Sequence, residues 1–241
     1  MRLVHFAVPM TALATLSACQ MGQARDAGPQ TTRSFPAGNA TRLAVAGSYD
    51  VTVSTGSAPG VQATGGQNRL DDIVVEQDGD TLKIHPKPSN GMNWTRWTND
   101  KGVKISVTLP TLASVAMAGS GDVTVNKVAG DSFEANLAGS GGLKLDSVQA
   151  RQLAIKIAGS GDVSAKGTVG ATQMSVAGSG DVDAADLVAD TAEIKVMGSG
   201  NVRLQAKQSA NVSVAGSGDV EIKGGAKCQI SKAGSGEVRC S

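Results

Sequence analysis

Hydrophobic and polar residues alternate on both sides of a glycine-rich phrase that recurs through the C-terminal half of the chain. The phrase reads Ala-Gly-Ser-Gly-Asp with small variations. Its first glycine stands at seven places: Gly119, Gly139, Gly159, Gly178, Gly198, Gly216 and Gly234. Successive copies lie 20, 20, 19, 20, 18 and 18 residues apart. A fixed period of this length is the sequence signature of a solenoid.

Four columns of apolar residues appear when the seven copies are aligned on the first glycine. Two columns precede it by four and two places: Val115, Ala135, Ile155, Met174, Ile194, Val212, Ile230; and Met117, Leu137, Ile157, Val176, Val196, Val214, Lys232. Two follow it by four and six places: Val123, Leu143, Val163, Val182, Val202, Val220, Val238; and Val125, Leu145, Ala165, Ala184, Leu204, Ile222, Cys240. Polar residues separate these columns. A period of two on both sides of a glycine bend predicts strand, bend, strand with one face inside, and the glycine density excludes a helix.

A coil of 18–20 residues that contains two such strands and a third short extended piece is the size of one coil of a parallel β-helix. Adjacent coils then pair at about 4.8 Å. Further strands are predicted ahead of the repeats, at Val61–Thr64, Ile73–Gln77, Thr81–His85 and Val103–Leu109. An Asp78-Gly79 turn between the second and third of these indicates a hairpin. We therefore predict an all-β fold, a parallel β-helix with a partly antiparallel β cap at its N-terminal side.

The first residues of the chain have the features of a targeting segment. Arg2 is followed by an apolar stretch, Phe6 to Leu16, too short to span a membrane, and Leu16-Ser17-Ala18-Cys19 ends it. That tetrapeptide resembles the bacterial lipoprotein signal, in which the cysteine is lipidated, so lipid on Cys19 is the expected anchor. The alternative is an ordinary signal peptide cleaved nearby. Gln20, in place of an aspartate, favours sorting to the outer membrane by the same resemblance.

The domain boundaries follow from these segments. Residues 1–18 are predicted as the signal peptide and residues 19–34 as a flexible tether, because the latter are polar and lack periodicity. Residues 35–241 form the β-solenoid domain. Within it, residues 35–110 form the cap and first coils, including a degenerate copy of the phrase at Gly47, and residues 111–241 form the regular coils.

The composition of the chain indicates what fills the core and argues against nucleic-acid binding. Hydrophobic residues make up 40% of the chain but aromatic residues only 2%, so Val, Ile, Leu and Ala must fill a narrow core. The net charge of +1 and the lack of a basic run give no footprint for nucleic acid.

A family resemblance agrees with this architecture. Gly47-Ser48-Tyr49-Asp50-Val51, the strand Lys104–Leu109 and then the recurring Gly-Ser-Gly resemble the putative auto-transporter adhesin head GIN domain family (DUF2807), over about Phe35 to Arg239. The resemblance implies an envelope-attached or secreted β-solenoid protein of bacteria, commonly a lipoprotein. It brings no established active site.

Catalysis has few candidate residues in this sequence. His85 is the only histidine outside the signal segment, and no Ser/His/Asp, Cys/His or metal-ligand spacing accompanies it. We therefore expect a structural role for His85, a protein that is not an enzyme, and no cofactor.

The recurring aspartates raise a calcium alternative, because glycine-rich turns that end in aspartate line calcium-binding β-rolls. Those rolls repeat every nine residues and place two turns in each coil. Here one turn falls in each coil, and the column reads Asp122, Gly142, Asp162, Asp181, Asn201, Asp219, Glu237. Asp122, Asp162, Asp181 and Asp219 are therefore interpreted first as structural turn residues and second as a calcium site.

Both tryptophans fall in the segment Pro86–Lys101, which also carries Arg96. Trp94 and Trp97 could stack on a sugar or anchor a protein partner. The structural alternative is that they cover the open end or flank of the solenoid. This segment is the first choice for a ligand-binding spot.

The last coil carries two further expectations. Cys228 and Cys240 both occupy inward columns, and Ile230 should meet Val238 across the core, so a Cys228–Cys240 disulfide is predicted. Two buried thiols are the alternative. The outward column Asp183, Arg203, Glu221, Arg239 alternates in charge and is expected to form an exposed salt ladder across neighbouring coils.

Together these observations predict a lipid-anchored bacterial envelope protein whose solenoid is a non-catalytic adhesion or interaction scaffold for an unknown protein or glycan. The alternative is a periplasmic or surface carbohydrate-binding protein, less readily a carbohydrate-active one, that uses the Trp94/Trp97 segment.

Overall fold

The fold is almost entirely strand. The computed structural model describes residues 25–56, 58–88, 97–98 and 101–241. Strands β1 to β9 are Arg25–Asp26, Gln30–Phe35, Arg42–Gly47, Asp50–Thr55, Gly60–Gly66, Ile73–Asp78, Thr81–Pro86, Trp97–Thr98 and Lys104–Leu109, with a one-turn helix α1 at Gln67–Leu70 after β5. Strands β10 to β19 are Ser114–Gly119, Val123–Val125, Val128–Gly139, Gly142–Gly159, Asp162–Gly178, Val182–Gly198, Val202–Gly216, Val220–Lys223, Lys227–Ala233 and Val238–Cys240.

The C-terminal half is the predicted parallel β-helix. Each long strand pairs in parallel with the next, and the corner glycines are register partners: Gly119 with Gly139, Gly139 with Gly159, Gly159 with Gly178, Gly178 with Gly198, and Gly198 with Gly216. The predicted fold class, period and register are therefore confirmed. A slip of one residue would turn every inward valine outward, which is why the columns hold the register.

Each regular coil has three sides. In β13 the alternation of buried and exposed residues breaks after Asp146 and after Arg151, where two successive residues point outward. These two bends and the Gly-Ser-Gly corner divide the coil. The first side turns Leu143 and Leu145 inward, the second side Val148, and the third side Leu153, Ile155 and Ile157.

An additional coil at the N-terminal side joins this stack from far away in sequence. Strand β3 pairs in parallel with β10, with Gly47 opposite Gly119, and β4 pairs in parallel with β11. The prediction that Gly47 begins a degenerate copy of the phrase is confirmed. The chain between β4 and β10 builds the cap on the outer side of this coil.

The cap changes gradually from parallel to antiparallel pairing. Strands β7 and β9 continue the parallel stack on β3 and β4. Strand β6 then pairs antiparallel with β7, and β5 pairs antiparallel with β9. The β6–β7 hairpin turns between Asp78 and Thr81, as the Asp78-Gly79 pair predicted, with Gly79 at a φ of 60°.

The tether prediction is wrong for its last residues. Gln30–Phe35 forms β2, which pairs antiparallel with β5 along its full length, and Arg25–Asp26 forms β1, which pairs with β8. Strand β2 has no fully buried side chain: its residues alternate between exposed and half-buried, and Phe35 alone among them packs against the core. A polar segment without an inward column gives no periodic signal, and this is why the pattern did not reveal it.

The last coil departs from its expected burial. Ile230 was expected to meet Val238 in the core, but its side chain is 49% exposed and most of β18 faces solvent. The reason is positional: β18 pairs with β16 and β19 with β17, and no strand of the described ranges pairs with their outer edges. Cys228 and Cys240 are joined in a disulfide with their Cα atoms 6.6 Å apart.

Candidate binding surface

The Gly-Ser-Gly corners stack in direct backbone contact. The first glycine of each corner has a φ between 123° and 136°, and a Cβ atom on Gly159 would overlap the carbonyl oxygen of Gly139. The second glycine does not share that positive φ; a Cβ atom on Gly161 would instead overlap the carbonyl oxygen of Gly141. The first glycine is thus required by its backbone conformation and by close approach, and the second by close approach.

The residue after each corner ties one coil to the next. Asp162 Oδ1 accepts the backbone N–H of Asp181 at 2.9 Å, and Asp181 Oδ1 accepts that of Asn201 at 2.8 Å. Asn201 Oδ1 accepts from Asp219 at 3.0 Å, and Asp219 Oδ1 from Glu237 at 2.7 Å. Where Gly142 interrupts the column, the N–H of Asp162 is donated to the carbonyl oxygen of Gly141 instead.

These contacts give the aspartates a structural role as acceptors for backbone donors. Asp122, the first of them, accepts the N–H of Gly142 at 2.8 Å. Over the described part of the chain, no group of three or more His, Cys, Asp or Glu side chains is placed to hold a metal ion. The calcium alternative stays a prediction for Asp122, Asp162, Asp181 and Asp219.

A groove runs along the third side of the solenoid, parallel to its axis. It has a volume of about 540 Å³ and follows the two outward columns that lie seven and five places ahead of each corner glycine. We call it the third-side groove. Its walls are formed by Ser132, Gln152, Ala171, Thr191 and Ser209 on one side and by Arg42, Ser114, Glu134, Ala154, Gln173, Glu193 and Asn211 on the other.

The inward column between these walls decreases in side-chain size along the axis. It reads Phe133, Leu153, Thr172, Ala192 and Ala210, all buried. Thr172 is the one buried polar residue of the described chain, and its hydroxyl donates to the carbonyl oxygen of Leu153 at 3.2 Å. The smaller residues fall beneath the C-terminal half of the groove.

Two carboxylates in the groove wall are ionised and neutralised in place. Glu134 lies 2.8 Å from Lys156, and this hydrogen bond, with one from Asn136, lowers the pKa of Glu134. Glu193 lies 2.6 Å from Lys195 and accepts a 2.8 Å hydrogen bond from Gln173; both contacts lower the pKa of Glu193. Each acid of the wall therefore has a lysine from the adjacent outward column.

The charged column on the first side does not form the expected salt ladder. Asp183, Arg203, Glu221 and Arg239 are register neighbours on successive coils, but no ion pair among the described residues joins two successive members. Glu221 pairs with Lys223 at 3.0 Å and Arg239 with Glu237 at 2.8 Å, in both cases with a residue two places away along the chain. Strand side chains lean along the strand, which brings the second neighbour within reach.

The other predicted site residues fall in three places. Cys19, Trp94 and Arg96 lie outside the described residues, and of Trp97 only the backbone pairing with Arg25 in β1 and β8 is described. The ligand hypothesis for that segment therefore stays a prediction. His85 lies at the end of β7, 3.3 Å from Glu76 on the neighbouring strand.

Sequence reasoning missed the third-side groove, although its signal was present. The same alignment that revealed the inward columns also contains the outward ones, in which amides, hydroxyls and carboxylates recur at fixed distances from the corner glycine. The apolar columns predict the core, but they do not indicate the groove, which is lined mainly by residues of the outward columns.

No helix within the described ranges is long and apolar enough to cross a membrane. The fold and its stacked corners define a β-solenoid protein, and a groove follows the third side of its coils. The chain matches, over residues 39–226, the family described as "Putative auto-transporter adhesin, head GIN domain" (DUF2807). The chain belongs to this family, as the corner phrase and the strand before it predicted.

Solved structures share this architecture. A putative adhesin from Bacteroides fragilis NCTC 9343 is 25% identical, with a TM-score of 0.83 over 90% of this chain and 100% of that one. A structure from Parabacteroides distasonis ATCC 8503, described as a putative lipid binding protein, is 28% identical, with a TM-score of 0.74 over 91% of this chain and 100% of that one. A putative adhesin from the same organism, 20% identical with a TM-score of 0.69, covers 91% of this chain and 100% of its own and supports the fold alone. Comparison with curated proteins gives no match.

Proposed function

We propose that this protein is a lipid-anchored component of the bacterial envelope whose non-catalytic β-solenoid acts as an adhesion or interaction scaffold. The observation that carries the proposal is the in-register stack itself. Neighbouring coils place equivalent side chains opposite one another, so each outward column becomes a continuous row along the axis. A partner can contact such a row over several coils at once. Membership of a family described by adhesion supports the same role.

The anchor is assigned to Cys19 because it ends an apolar signal segment and is followed by a polar stretch. Lipid holds a protein at a membrane through buried CH₂ groups, so an exported solenoid would need no spanning helix. Gln20 directs the lipidated protein to the outer membrane in this proposal.

Membrane fractionation tests the anchor. Cys19→Ser should leave the protein unprocessed or release it from the membrane, whereas Ser17→Ala, two residues earlier, serves as the matched control and should fractionate as the unaltered chain does. Gln20→Asp should keep the protein lipidated but shift it to the inner membrane. Detergent-requiring association of Cys19→Ser, unchanged from the unaltered chain, would refute the anchor.

Adherence of whole cells tests the scaffold. Cells that carry the unaltered protein should adhere to a host-cell or matrix-coated surface, or to one another, more strongly than cells that lack it. Cells that produce Cys19→Ser should resemble the cells that lack it, because the solenoid is no longer held at the envelope. Equal adherence of all three cell types would count against a role in adhesion.

A further inference from the structure

The third-side groove has the shape of a site for an extended ligand. It reaches across the coils from Arg42 and Ser114 to Ser209 and Asn211, and two smaller depressions adjoin it on the same side and share Glu193 and Lys195 with each other. Because coils stack at about 4.8 Å, each coil places two outward side chains in the groove at nearly constant intervals, and most of these side chains are polar. A linear ligand with a short repeating unit fits such a row better than a compact one.

The groove wall offers both donors and acceptors. Gln152, Gln173 and Asn211 each present an amide that donates and accepts, Thr191 presents a hydroxyl, and Glu193 presents carboxylate oxygens that accept. A sugar hydroxyl also donates and accepts, so this mixture matches a polyol. Ala154 and Ala171 leave small apolar areas between the polar groups, where the carbon face of a sugar ring can rest.

The charges of the groove favour an uncharged ligand. Glu134 and Glu193 are each paired with a lysine within 2.8 Å. Arg42, at the N-terminal end of the groove, pairs with Asp80 at 3.2 Å. With each charge balanced locally, the groove lacks the single-sign field that attracts a polyanion or a polycation.

An extended peptide fits this site less well. Peptides that add to a β-sheet use a free strand edge, but the groove crosses the strands, whose backbone groups are already paired with both neighbouring coils in β13, β14 and β15. Recognition in the groove must therefore come from side chains.

We propose that the third-side groove binds a neutral glycan chain that lies along the solenoid axis. The inference rests on the proposed scaffold function and names the chemical class of its partner. Successive sugar residues of the chain contact successive coils, so the binding strength increases with the number of residues until the groove is filled. None of the residues named in the groove wall belongs to the segment that carries Trp94 and Trp97.

A binding experiment with a matched control tests the proposal. The full chain in detergent is assayed against a panel of immobilised neutral oligosaccharides of increasing length, beside anionic glycans. Gln173→Ala/Glu193→Ala removes an amide and a carboxylate from the groove wall, and the control Ser164→Ala/Glu221→Ala removes a hydroxyl and a carboxylate from the first side. We expect the groove variant to lose about tenfold or more in affinity for the neutral chains, since each lost hydrogen bond weakens binding severalfold. The control variant should bind as the unaltered protein does, with little dependence on salt.

Several outcomes would overturn the groove as the site. Absence of binding to the whole panel would do so, and so would equal loss in the two variants. Salt-sensitive binding to anionic glycans alone would show that the protein binds glycans through a charged surface instead. Loss in Trp94→Ala/Trp97→Ala without loss in the groove variant would place the site in that segment. Cell adherence that requires the protein but is unaffected by the groove variant would reject this inference and leave the scaffold function standing.

Discussion

The two ends of the solenoid differ in how the apolar interior of the end coil is covered. At the N-terminal end, β7 and β9 lie on the first coil and antiparallel strands lie beyond them, so Leu82 and Ile84 are fully buried and Tyr49 is 5% exposed. At the C-terminal end no strand among the described residues covers the last coil, and Ile230, in an inward column, is 49% exposed. A solenoid coil is stabilised by its neighbours, so an end coil has lost half of its partners.

The uncovered end carries other features in place of a cap. Lys232 stands in an inward column, and its Nζ donates to the carbonyl oxygen of Gly236 at 2.9 Å. An inward-pointing charge on an edge strand discourages the addition of another chain. The Cys228–Cys240 disulfide links β18 to β19 across the same coil. The N-terminal end is thus covered by the strands of the cap, whereas the last coil carries an inward-pointing lysine and a disulfide.

The largest expected difference between the ends lies in the contribution of one inward-column isoleucine at each end to the free energy of unfolding, Ile84 in the cap and Ile230 in the last coil. Ile84→Ala should lower the free energy of unfolding by about 2–5 kcal/mol, because a large side chain is removed from a closed core. Ile230→Ala, the matched change at the other end, should cost less than about 0.5 kcal/mol, as exposed substitutions do. Denaturant unfolding of both variants measures this, and similar losses would show that the last coil is covered in solution.

The disulfide should stabilise the uncovered end and leave the cap unaffected. Its two cysteines are 12 residues apart, and closing so short a loop contributes about 3 kcal/mol. In Cys228→Ser/Cys240→Ser we expect faster hydrogen exchange in β18 and β19 and unchanged exchange in β7. Thiol titration of the denatured, unreduced protein should find no free thiol at these positions; two would contradict the link.

Lys232 should keep the uncovered end from associating. Lys232→Val restores the apolar column, and burial of a valine between two copies contributes about 1.5–3 kcal/mol, or tenfold or more in association. Sedimentation should show a mass that rises with protein concentration. Lys207→Val, an exposed change on the outside of β16, is the control and should sediment as the unaltered protein does. If the Lys232→Val protein is monomeric at all concentrations, Lys232 does not prevent association.

The corner aspartate beside the last coil should contribute a smaller amount. Asp219→Ala leaves the N–H of Glu237 without its acceptor and should cost about 1 kcal/mol. Asp219→Asn should cost little, because Asn201 makes the same contact in the native column. Thermal unfolding of both variants, with and without added calcium, checks the expectation. A large stabilisation by calcium that Asp219→Asn abolishes would support the ion site instead.

The smallest effect concerns pH at the capped end. Burial raises the pKa of Tyr49 above its ordinary value of 10.0. The stability from this shift is therefore fully present below pH 10 and is lost as the pH rises through the higher native pKa. Tyr49 is the only tyrosine of the chain, so its ultraviolet titration is unambiguous. A titration midpoint equal in native and denatured protein would show that Tyr49 is exposed.

The regular coils could be predicted from sequence because seven copies impose the same columns. Val163 or Val202 alone would indicate little, but each repeats the position of a residue one coil away. The hairpin at Asp78-Gly79 was predictable for a local reason, since its turn residues specify it. Both predictions depend on short-range or periodic information.

The parts that sequence did not reveal depend on contacts that are neither local nor periodic. Strand β2 is recognised only through its partner β5, and its polar residues resemble a tether when read alone. Ile230 follows the core pattern, but the pattern does not show that its side chain is 49% exposed, with no described strand on the outer edge of β18. The third-side groove does leave a periodic signal in its outward columns, but locating the groove also requires knowing where the coil bends, because the bend after Arg151 decides which outward columns lie side by side.

The stacking of Gly47 on Gly119 has a consequence for how such a molecule can change in length. Ser48 and Ser120, which meet at this corner, are 72 residues apart, whereas regular coils return after 18–20. Since each doubling of a loop adds only about 0.6 kcal/mol of closure entropy, so long an excursion costs about 1 kcal/mol more than an ordinary coil. Two coils can therefore be neighbours in the stack almost regardless of their separation in sequence. Whole folded segments can be inserted between two coils while the corner column remains intact.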